Sequence, residues 1–427
     1  MSRIVLSTIG SLGDLNPKLA LGVELRRRGH GVVINTLGGY QEPIENLDLE
    51  FAPLRPDVEE ADEDLIRRLV DAQTGPETVI RELIMPNLGD MYDDLCSACL
   101  DADLLVTGEL VYVAKSLVEK TGIKWISTSL SPIAMYSAHD PNVYPGYEWI
   151  EYLRPLPAAF HKISLSIARR AIGHWLDPFR EFRSDLGLEP DVDPIFVDKY
   201  SKNLHLAMFS KALARPQPDW HSPTLQTGFC FYDESDSTVL HRELSEFLDA
   251  GDPPIVFTLG SAASLDARDF FERSAVAARS LDRRALLIYG REQPRPKGAG
   301  GDIAAFEFAP YSLVFPRAAC IVHQGGVGTT GQALAAGRPQ LIVPFSHDQP
   351  DNAARCRRNG VAEIIRRESY RADTAKNAIA RLLNEPSYLA RAVQLKQVVA
   401  AEKGTTTACD AIEDILRIGS GQNKIVS

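Results

Sequence analysis

The sequence has no long hydrophobic run. Hydrophobic residues make up 44% of the 427 residues, yet no apolar stretch reaches the roughly eighteen residues that a membrane-spanning helix needs. The amino-terminal segment MSRIVLSTIG combines one arginine with a short apolar stretch. It lacks the small-residue cleavage site of a signal peptide and continues into SLGDLNP, so we interpret it as a first strand. We therefore expect a cytoplasmic protein.

The sequence is also short of positive charge. It holds 46 lysine and arginine residues against 57 aspartate and glutamate residues, which gives a formal net charge of −11. Nonspecific nucleic-acid binding depends on a positive electrostatic field. We therefore expect no nucleic-acid partner, although this composition is compatible with a local basic patch.

Cysteine is scarce, with six residues in the whole chain. Only Cys96 and Cys99 form a C-x-x-C pair, a spacing that occurs in redox sites and in zinc sites. No second pair of cysteines or histidines has a zinc-like spacing, and the surrounding LCSACL is typical of an amphipathic helix. We interpret both thiols as small core residues.

The length predicts two domains, because 427 residues exceed what one hydrophobic core usually serves. Short apolar stretches alternate with helical patterns in both halves, which predicts an α/β fold with parallel sheets. The predicted strands are 3–9, 31–36, 104–107, 124–128, 254–259, 285–289, 304–308, 320–323, 340–343 and 361–365.

Two local features complete this picture. Asn16 and Pro17 are good starting residues for a helix after the first strand. The polar segment 233–237 separates the halves, so we place the domains at 1–235 and 236–427. Ligands of open parallel sheets bind at the carboxyl ends of the strands. We therefore expect a cleft that both sets of carboxyl ends face.

The segment 323–355, HQGGVGTTGQALAAGRPQLIVPFSHDQPDNAAR, holds the most informative pattern. A predicted strand ends in a glycine-rich turn, and two threonines begin the next helix. Glycine lets backbone N–H groups approach a ligand closely, and a helix N-terminus adds about half a positive charge. This arrangement favours a diphosphate. The turn lacks the lysine of a P-loop and the acidic residue of a dinucleotide site.

The next predicted strand ends in a second polar turn, PFSHDQP at 344–350. Asp348 accepts hydrogen bonds, whereas Gln349 both accepts and donates them, so the pair can hold sugar hydroxyls. Neighbouring strands of a parallel sheet bring their turns together. A diphosphate site beside a hydroxyl-binding pair predicts a nucleotide-sugar site.

These turns resemble the donor-binding signature of inverting glycosyltransferases of family 1, which have the GT-B fold. The pattern His-x-Gly-Gly-x-Gly-Thr-Thr, then Pro-x-x-x-Asp-Gln, then Asn, is matched at His323, Gly325, Gly326, Gly328, Thr329, Thr330, Pro344, Asp348, Gln349 and Asn352. The first loop, GSLGDLNP at 10–17, is similar to that of the bacterial and fungal branch, which includes rhamnosyl-, sterol and glycopeptide-antibiotic glycosyltransferases. Gly260 and Ser261 match a family turn that faces the donor phosphates.

The resemblance implies two Rossmann-like domains whose parallel sheets face an interdomain cleft. Residues 1–235 would bind the acceptor and residues 236–427 the donor, and the last helix could pack back on the first domain. The implied reaction is a single displacement with inversion at the anomeric carbon. The implied donor-binding residues are Ser261, His323, Gly325, Gly326, Gly328, Thr329, Thr330, Asp348, Gln349 and Asn352. Among them, His323 would donate to the diphosphate, and Asn352 would reach the phosphates or the acceptor side.

The resemblance also implies a catalytic base. Asp14 stands where many plant members carry a catalytic histidine, so we take it as the candidate base. The alternative is a carboxylate that interacts with the dipole of its helix. Glu109 follows the strand 104–107 and, like His139, is a candidate to assist. Whether Asp14 acts alone is left open by the sequence.

We expect UDP-glucose as the donor and a hexosyltransferase activity (EC 2.4.1.-), with a dTDP- or UDP-deoxysugar as the alternative. The segment 308–311, which would frame the base, does not distinguish uracil from thymine. No cofactor besides the donor substrate, and no metal, is expected. Asp101-Ala102-Asp103 spells the DxD metal motif of another glycosyltransferase fold, but it precedes a strand rather than ending one.

The acceptor is expected to be a hydrophobic small molecule that enters an aromatic pocket. The candidate pocket residues are Tyr136, Tyr144, Tyr147, Trp149, Phe160 and Trp175. The stretch 160–183 also carries basic residues, which leaves two interpretations: a helix on the domain surface, or a peripheral membrane contact. A non-catalytic auxiliary protein and a sugar-nucleotide epimerase are the competing functions. The oligomeric state is unknown from the sequence.

Overall fold

Two parallel sheets organise the chain in the computed structural model, which describes residues 1–57, 65, 68–69, 71, 73–233, 240–264, 266–291 and 293–420. The first sheet has the order β3-β2-β1-β4-β5-β6-β7, and the second has the order β10-β9-β8-β11-β12-β13. The strands are β1 Arg3–Ser7, β2 Gly31–Thr36, β3 Glu50–Pro53, β4 Leu104–Thr107, β5 Lys124–Ser129, β6 Leu204–Ala207, β7 Thr224–Gln226, β8 Ile255–Thr258, β9 Ala285–Ile288, β10 Ile303–Phe306, β11 Cys320–His323, β12 Gln340–Ile342 and β13 Ala362–Ile364.

Helices connect these strands and cover both faces of each sheet. They are α1 Leu12–Arg27, α2 Gln41–Glu45, α3 Gly75–Thr78, α4 Leu88–Ala98, α5 Ala114–Thr121, α6 Ala158–Ile172, α7 Asp177–Asp185, α8 Arg242–Asp249, α9 Ser261–Ser264, α10 Phe270–Arg279, α11 Tyr311–Val314, α12 Val327–Ala336, α13 Gln349–Arg358, α14 Ala372–Asn384, α15 Pro386–Ala401 and α16 Gly404–Ser420. No helix in the described ranges is long and apolar enough to cross a membrane.

The predicted α/β fold with parallel sheets is confirmed. Each predicted strand is present to within two residues at either end. Ile4 and Leu6 of β1 pack into the core on one face of the first sheet, while Val5 packs into the core on the other. Burial on both faces explains why such strands read as continuous apolar runs. The short strands β3, β6 and β7 were not predicted, because their segments lack such a run.

Helix α1 begins one turn earlier than the sequence indicated. Ser11, not Asn16, is the N-cap: its Oγ accepts the Gly13 N–H at 3.2 Å, and the Asp14 side chain accepts the Ser11 N–H at 2.9 Å. This reciprocal capping satisfies the first free N–H groups of the helix. Pro17 consequently lies inside α1, where its missing N–H leaves one carbonyl of the preceding turn without its helical partner.

The chain returns to its first half at the end. Helix α16 packs on α1 and β5, with Cys409 and Ile412 in the same core as Leu21 and Leu25. Arg28 also pairs with acidic side chains of α16. The boundary that we predicted between residues 235 and 236 lies outside the described residues.

Candidate functional site

A glycine turn joins β11 to α12 and leaves backbone donors free. The N–H groups of Gly326, Gly328 and Thr329 have no protein acceptor among the described residues, and Gly328 faces open space. These groups lie at the N-terminus of a ten-residue helix, where partial positive charge accumulates. Such a helix end binds anions, phosphates above all.

Glycine is required in this turn for steric reasons. Gly325 has a φ of +95°, and a Cβ built on it would lie 2.8 Å from Ile342 Cγ2 and 3.1 Å from the Gln349 carbonyl oxygen. At Gly260, on the loop after β8, a Cβ would lie 2.2 Å from Gln324 Nε2. The close approach of these loops therefore depends on the missing side chains.

Buried polar atoms without partners surround the same turn. Gln324 Oε1 and Thr330 Oγ1 are buried and accept or donate no hydrogen bond among the described residues. The Thr329 hydroxyl, in contrast, accepts a long hydrogen bond from Gln324 Nε2 at 3.4 Å. Unsatisfied buried groups are rare in folded proteins and frequently mark a functional position.

His323 is fully buried and supports this turn by a hydrogen bond to its backbone. Its Nδ1 accepts the Gly325 N–H at 3.1 Å, so its Nε2 carries the proton and donates to Gln340 Oε1 at 2.9 Å. Burial lowers the pKa of His323 to about 4, so the ring is neutral. Both nitrogens are occupied, and the expected donation to a diphosphate is not available in this structure. The place of His323 among the donor-binding residues stays a prediction that rests on the turn it supports.

The second turn, after β12, carries the predicted hydroxyl-binding pair, partly engaged by the protein. Asp348 Oδ2 accepts the Val327 N–H at 3.0 Å, which caps α12. Gln349 Oε1 accepts the N–H groups of Phe345 at 2.7 Å and Ser346 at 3.1 Å. What remains for a ligand is Asp348 Oδ1 and the amide nitrogen of Gln349.

Asn352 links the two halves and is fully buried. Its Nδ2 donates to the Gly325 carbonyl at 3.0 Å and to Asp348 Oδ2 at 2.7 Å, while its Oδ1 accepts the Ser131 hydroxyl at 3.2 Å. Ser131 follows β5 of the first sheet. The Asn352 side chain therefore contacts the first half of the molecule. Neither of its polar atoms is free for the predicted contact with the phosphates.

Asp14 faces this turn from the first half. Gly10 has a φ of +138°, and a Cβ on it would lie 2.2 Å from Asp14 Oδ2, so glycine lets the carboxylate fold back over the loop. Burial above all, and then the charge of Glu109, raise the pKa of Asp14 to about 6 against the hydrogen bonds from Ser11. A carboxylate with such a pKa is a more effective base than an exposed aspartate.

The carboxylate of Asp348 interacts electrostatically with Asp14 across the interface. Burial above all, and to a smaller extent the charge of Asp14, raise the pKa of Asp348 to about 7 against the hydrogen bonds from Asn352 and the Val327 N–H. Two neighbouring carboxylates from different halves thus hold their protons more tightly than isolated ones. Perturbed carboxylates in a cleft are typical of functional sites.

Lys18 was missed by the sequence reasoning. It lies one helical turn after Asp14 and is fully buried, with its Nζ 2.6 Å from Thr128 Oγ1. Burial lowers the pKa of Lys18 to about 7, and the charges of Glu109 and Asp14 oppose this. The only sequence signal was a lysine on the apolar face of α1.

The two candidate assistants of Asp14 differ in placement. Glu109 lies after β4 in the same electrostatic neighbourhood as Asp14 and Lys18, and its Oε1 accepts the Leu130 N–H at 3.2 Å. His139 is exposed on a loop stabilised by Ser137. The geometry favours Glu109 over His139 as a neighbour of Asp14.

A buried ionic cluster, also missed, holds the two halves together. Arg355 of α13 donates to Asp351 at 2.6 Å, to Asn142 at 3.0 Å and to Asp140. Asp351 accepts the Val143 N–H at 3.0 Å. All of these contacts except the Arg355–Asp351 pair, which lies within α13, connect α13 to the loop after β5. The cluster fixes the turn 344–350 relative to the first sheet.

The predicted aromatic residues do not form one pocket. Tyr136 lies inside the first half, where Lys199 Nζ sits 4.7 Å from the centre of its ring and 5.3 Å from that of Tyr200. Trp149 is 54% exposed, whereas Trp175 packs at the edge of the core. Tyr147 and Phe160 are also exposed. Tyr136 and Tyr200, inside the first half, are therefore better candidates for contact with an apolar ligand than the exposed rings.

The remaining candidates have simple positions. Ser261 begins α9 after β8, and its side chain lies outside the described part of the chain. Asp103 accepts the Arg3 N–H at 2.8 Å before β4, away from the glycine turn. Cys96 and Cys99 are unpaired and lie at the end of α4. No group of three or more potential metal ligands occurs within the described ranges.

Family models match both ends of the chain. Residues 4–88 match the family described as "Glycosyltransferase family 28 N-terminal domain", and residues 286–415 match "Erythromycin biosynthesis protein CIII-like, C-terminal domain". The chain is 32% identical over 426 residues to an O-mycaminosyltylonolide 6-deoxyallosyltransferase of Streptomyces fradiae, covering 96% of this chain and 97% of that protein. It is 28% identical over 364 residues to a vancomycin aglycone glucosyltransferase of Amycolatopsis orientalis, covering 84% of each.

A solved structure shows the same fold. The glycosyltransferase VinC in complex with DTDP superposes with a TM-score of 0.68, at 19% identity, over 98% of this chain and 100% of that chain. The expected arrangement of two Rossmann-like domains with parallel sheets is therefore confirmed.

Proposed function

Because this chain belongs to the GT-B glycosyltransferases that include antibiotic and sterol glycosyltransferases, we propose that it transfers a 6-deoxyhexose from a dTDP-sugar to a hydroxyl of an apolar natural product. The free N–H groups of Gly326, Gly328 and Thr329 at the start of α12 carry this proposal. They suit the charge of a diphosphate leaving group, and they lie on the half of the molecule opposite Asp14.

Asp14 and the free N–H groups of the glycine turn suffice for a single displacement. Asp14 takes the proton of the acceptor hydroxyl as its oxygen bonds to the anomeric carbon. The bond from that carbon to the diphosphate oxygen breaks, and its electron pair stays on the diphosphate. Preorganised donors stabilise such developing charge strongly in a water-poor site. Attack from the side opposite the leaving group inverts the anomeric carbon.

The hydrogen-bond capacity of the second turn supports a deoxysugar. Asp348 and Gln349 each have one side-chain atom engaged by the protein, which leaves one carboxylate oxygen and one amide nitrogen. A 6-deoxyhexose needs fewer polar partners than glucose, because it lacks one hydroxyl. The 32% identical relative is a 6-deoxyallosyltransferase, and the structural neighbour binds DTDP.

UDP-glucose, the donor expected from the sequence, is the second candidate. The relative that glycosylates the vancomycin aglycone is a glucosyltransferase. The two donors are distinguished by calorimetric titration with dTDP and UDP. Tighter binding of dTDP supports the first candidate, and tighter binding of UDP supports the second.

A product screen by mass spectrometry tests the transfer. The protein is offered dTDP-rhamnose or UDP-glucose with macrolide, flavonoid and sterol acceptors, and the mass gain identifies the sugar. Thr329→Ala and His323→Ala should weaken donor binding, the second through collapse of the turn. Unchanged donor affinity in both variants would refute the phosphate site.

The two competing functions make different predictions. A non-catalytic auxiliary protein would transfer no sugar to any acceptor, even where it binds nucleotide at the glycine turn. An epimerase would convert the donor without an acceptor, which the same mass spectrometric assay detects after hydrolysis and separation of the sugars. The intact glycine turn and Asp14 favour the transferase.

A further inference from the structure

Helix α6 lies on the surface of the first half with almost no buried face. His161 is its only buried residue, and the helix packs mainly on the turn Gly173–Leu176 that follows it. A surface helix of a globular protein normally buries an apolar stripe against the core. In α6 the large apolar side chains instead face the solvent.

The exposed stripe consists of three large apolar side chains of α6, and Leu156 lies just before the helix. Leu156 is 41% exposed, Phe160 40%, Ile163 62% and Ile167 64%. Within α6, the spacings of three and four residues between Phe160, Ile163 and Ile167 place them on one side of the helical surface. The buried His161 lies about 160° around the helix from Ile163, since each residue turns the helix by about 100°. The exposed stripe therefore faces away from the domain.

The charge of α6 is opposite to that of the chain. The helix carries Lys162, Arg169 and Arg170 and no acidic residue, in a chain with a net charge of −11. Arg169 pairs with Asp193. Lys162 and Arg170 have no acidic partner among the residues that the structure describes. An amphipathic helix with a basic flank is the usual form of a membrane-surface helix.

We propose that α6 docks the protein on an anionic lipid bilayer. The exposed stripe would enter the boundary between head groups and acyl chains, where such helices insert by about 5–10 Å. Arg170, which lies beside the stripe on the helical surface, would contact the anionic head groups, and Lys162 would add to the attraction at longer range. Trp149 is 54% exposed and Tyr152 84% exposed on the neighbouring segment Glu148–Leu153. Such amphipathic rings are favoured at membrane interfaces.

A bilayer fits this surface better than a second copy of the chain. Two copies that met through α6 would bring their basic flanks together, and like charges repel. An anionic bilayer offers acyl chains to the apolar stripe of α6 and negatively charged head groups to its basic residues. A helix that lies flat needs no membrane-spanning length.

Vesicle flotation with the full-length protein tests this proposal. The vesicles contain either phosphatidylcholine alone or equal parts of phosphatidylcholine and phosphatidylglycerol. We expect the protein to float with the anionic vesicles, and much less with the neutral ones or at high salt, because salt screens the attraction. The double variant Ile163→Glu with Ile167→Glu should lower the bound fraction about tenfold or more.

A matched control separates a local effect from a change in net charge. Leu389 and Val393 of α15 are both 44% exposed and have the same spacing. Leu389→Glu with Val393→Glu adds the same two charges and should leave flotation unchanged. A second variant, Lys162→Gln with Arg170→Gln, should weaken binding to anionic vesicles alone. Circular dichroism and thermal melting show whether each variant is folded.

Three outcomes would overturn the proposal. The parent protein floats with neither vesicle type, or the α15 control loses flotation as fully as the α6 variant. Alternatively, sedimentation shows self-association that the α6 substitutions abolish, without vesicle binding, which would assign the stripe to a protein contact. Sugar transfer in solution is measured separately, so failure here does not bear on the proposed reaction.

Discussion

Replacing Asp14 by asparagine is expected to stop sugar transfer and to stabilise the protein. Burial raises the pKa of Asp14 from 3.8 to about 6, and each pKa unit corresponds to about 1.4 kcal/mol. The charged carboxylate therefore costs the folded state roughly 3 kcal/mol at neutral pH, as an upper value. Asparagine keeps an oxygen for the Ser11 N–H. We expect a gain of about 1–3 kcal/mol in the free energy of unfolding and a loss of about 10²–10⁴ in kcat, the contribution of a general base.

The pH dependence of this gain is the stricter test. The folded-state pKa lies above the unfolded value, so the folded state binds the proton more tightly, and ionisation costs stability progressively between about pH 4 and pH 6. The difference in unfolding free energy between variant and parent should be full at about pH 7 and small near pH 4. Urea unfolding at several pH values measures it. Asp185, exposed at the end of α7, provides the control Asp185→Asn. The reasoning is refuted if variant and parent have the same unfolding free energy at about pH 7. It is also refuted if their difference near pH 4 is as large as at pH 7.

Three further predictions concern charges around the site. Lys18→Met should move the acid limb of the kcat/KM profile to higher pH, because the lysine cation lowers the pKa of Asp14; an unmoved limb argues against this coupling. In the parent, donor affinity should fall as the pH rises above about 7, where Asp348 becomes charged, and Asp348→Asn should flatten this fall in calorimetric titrations. Arg355→Met should cost about 3–5 kcal/mol of unfolding free energy because the buried Asp351 loses its cation and Asp140 keeps its pair with Arg154 but loses Arg355. The exposed Arg242→Met should cost at most about 0.5 kcal/mol.

Local sequence patterns predicted the parts of the structure that depend on neighbouring residues. The strands that flank the site were found because burial on both faces leaves an apolar run. The turn after β11 was found because a run of glycines follows an apolar strand, and in the structure Gly325 has a positive φ and Gly328 faces open space. The start of α1 was misplaced because Ser11 and Asn16 are both good caps, and only the return of the Asp14 carboxylate to the Ser11 N–H decides between them.

Contacts between distant segments were beyond such patterns. Asn352 and Ser131 are 221 residues apart, and Arg355 and Asp140 are 215 residues apart. Nothing in the sequence near α13 indicates which residues of the first half it meets. The buried partners of His323 likewise depend on the register of β11 with β12. The residue types of the site were therefore predictable, but which of their atoms are free was not.

Donor binding is expected to strengthen the catalytic base. The free N–H groups of Gly326, Gly328 and Thr329 would hold the diphosphate, whose negative charge then lies in the neighbourhood of Asp348 and Asp14. A nearby negative charge raises a carboxyl pKa, so the pKa of Asp14 should move from about 6 toward neutrality, where a general base acts best. The acid limb of kcat, which reports the donor complex, should therefore lie at higher pH than that of kcat/KM, which reports the free enzyme. Coincident acid limbs of kcat and kcat/KM would mean that the turn neutralises the diphosphate charge, so that this charge does not raise the pKa of Asp14.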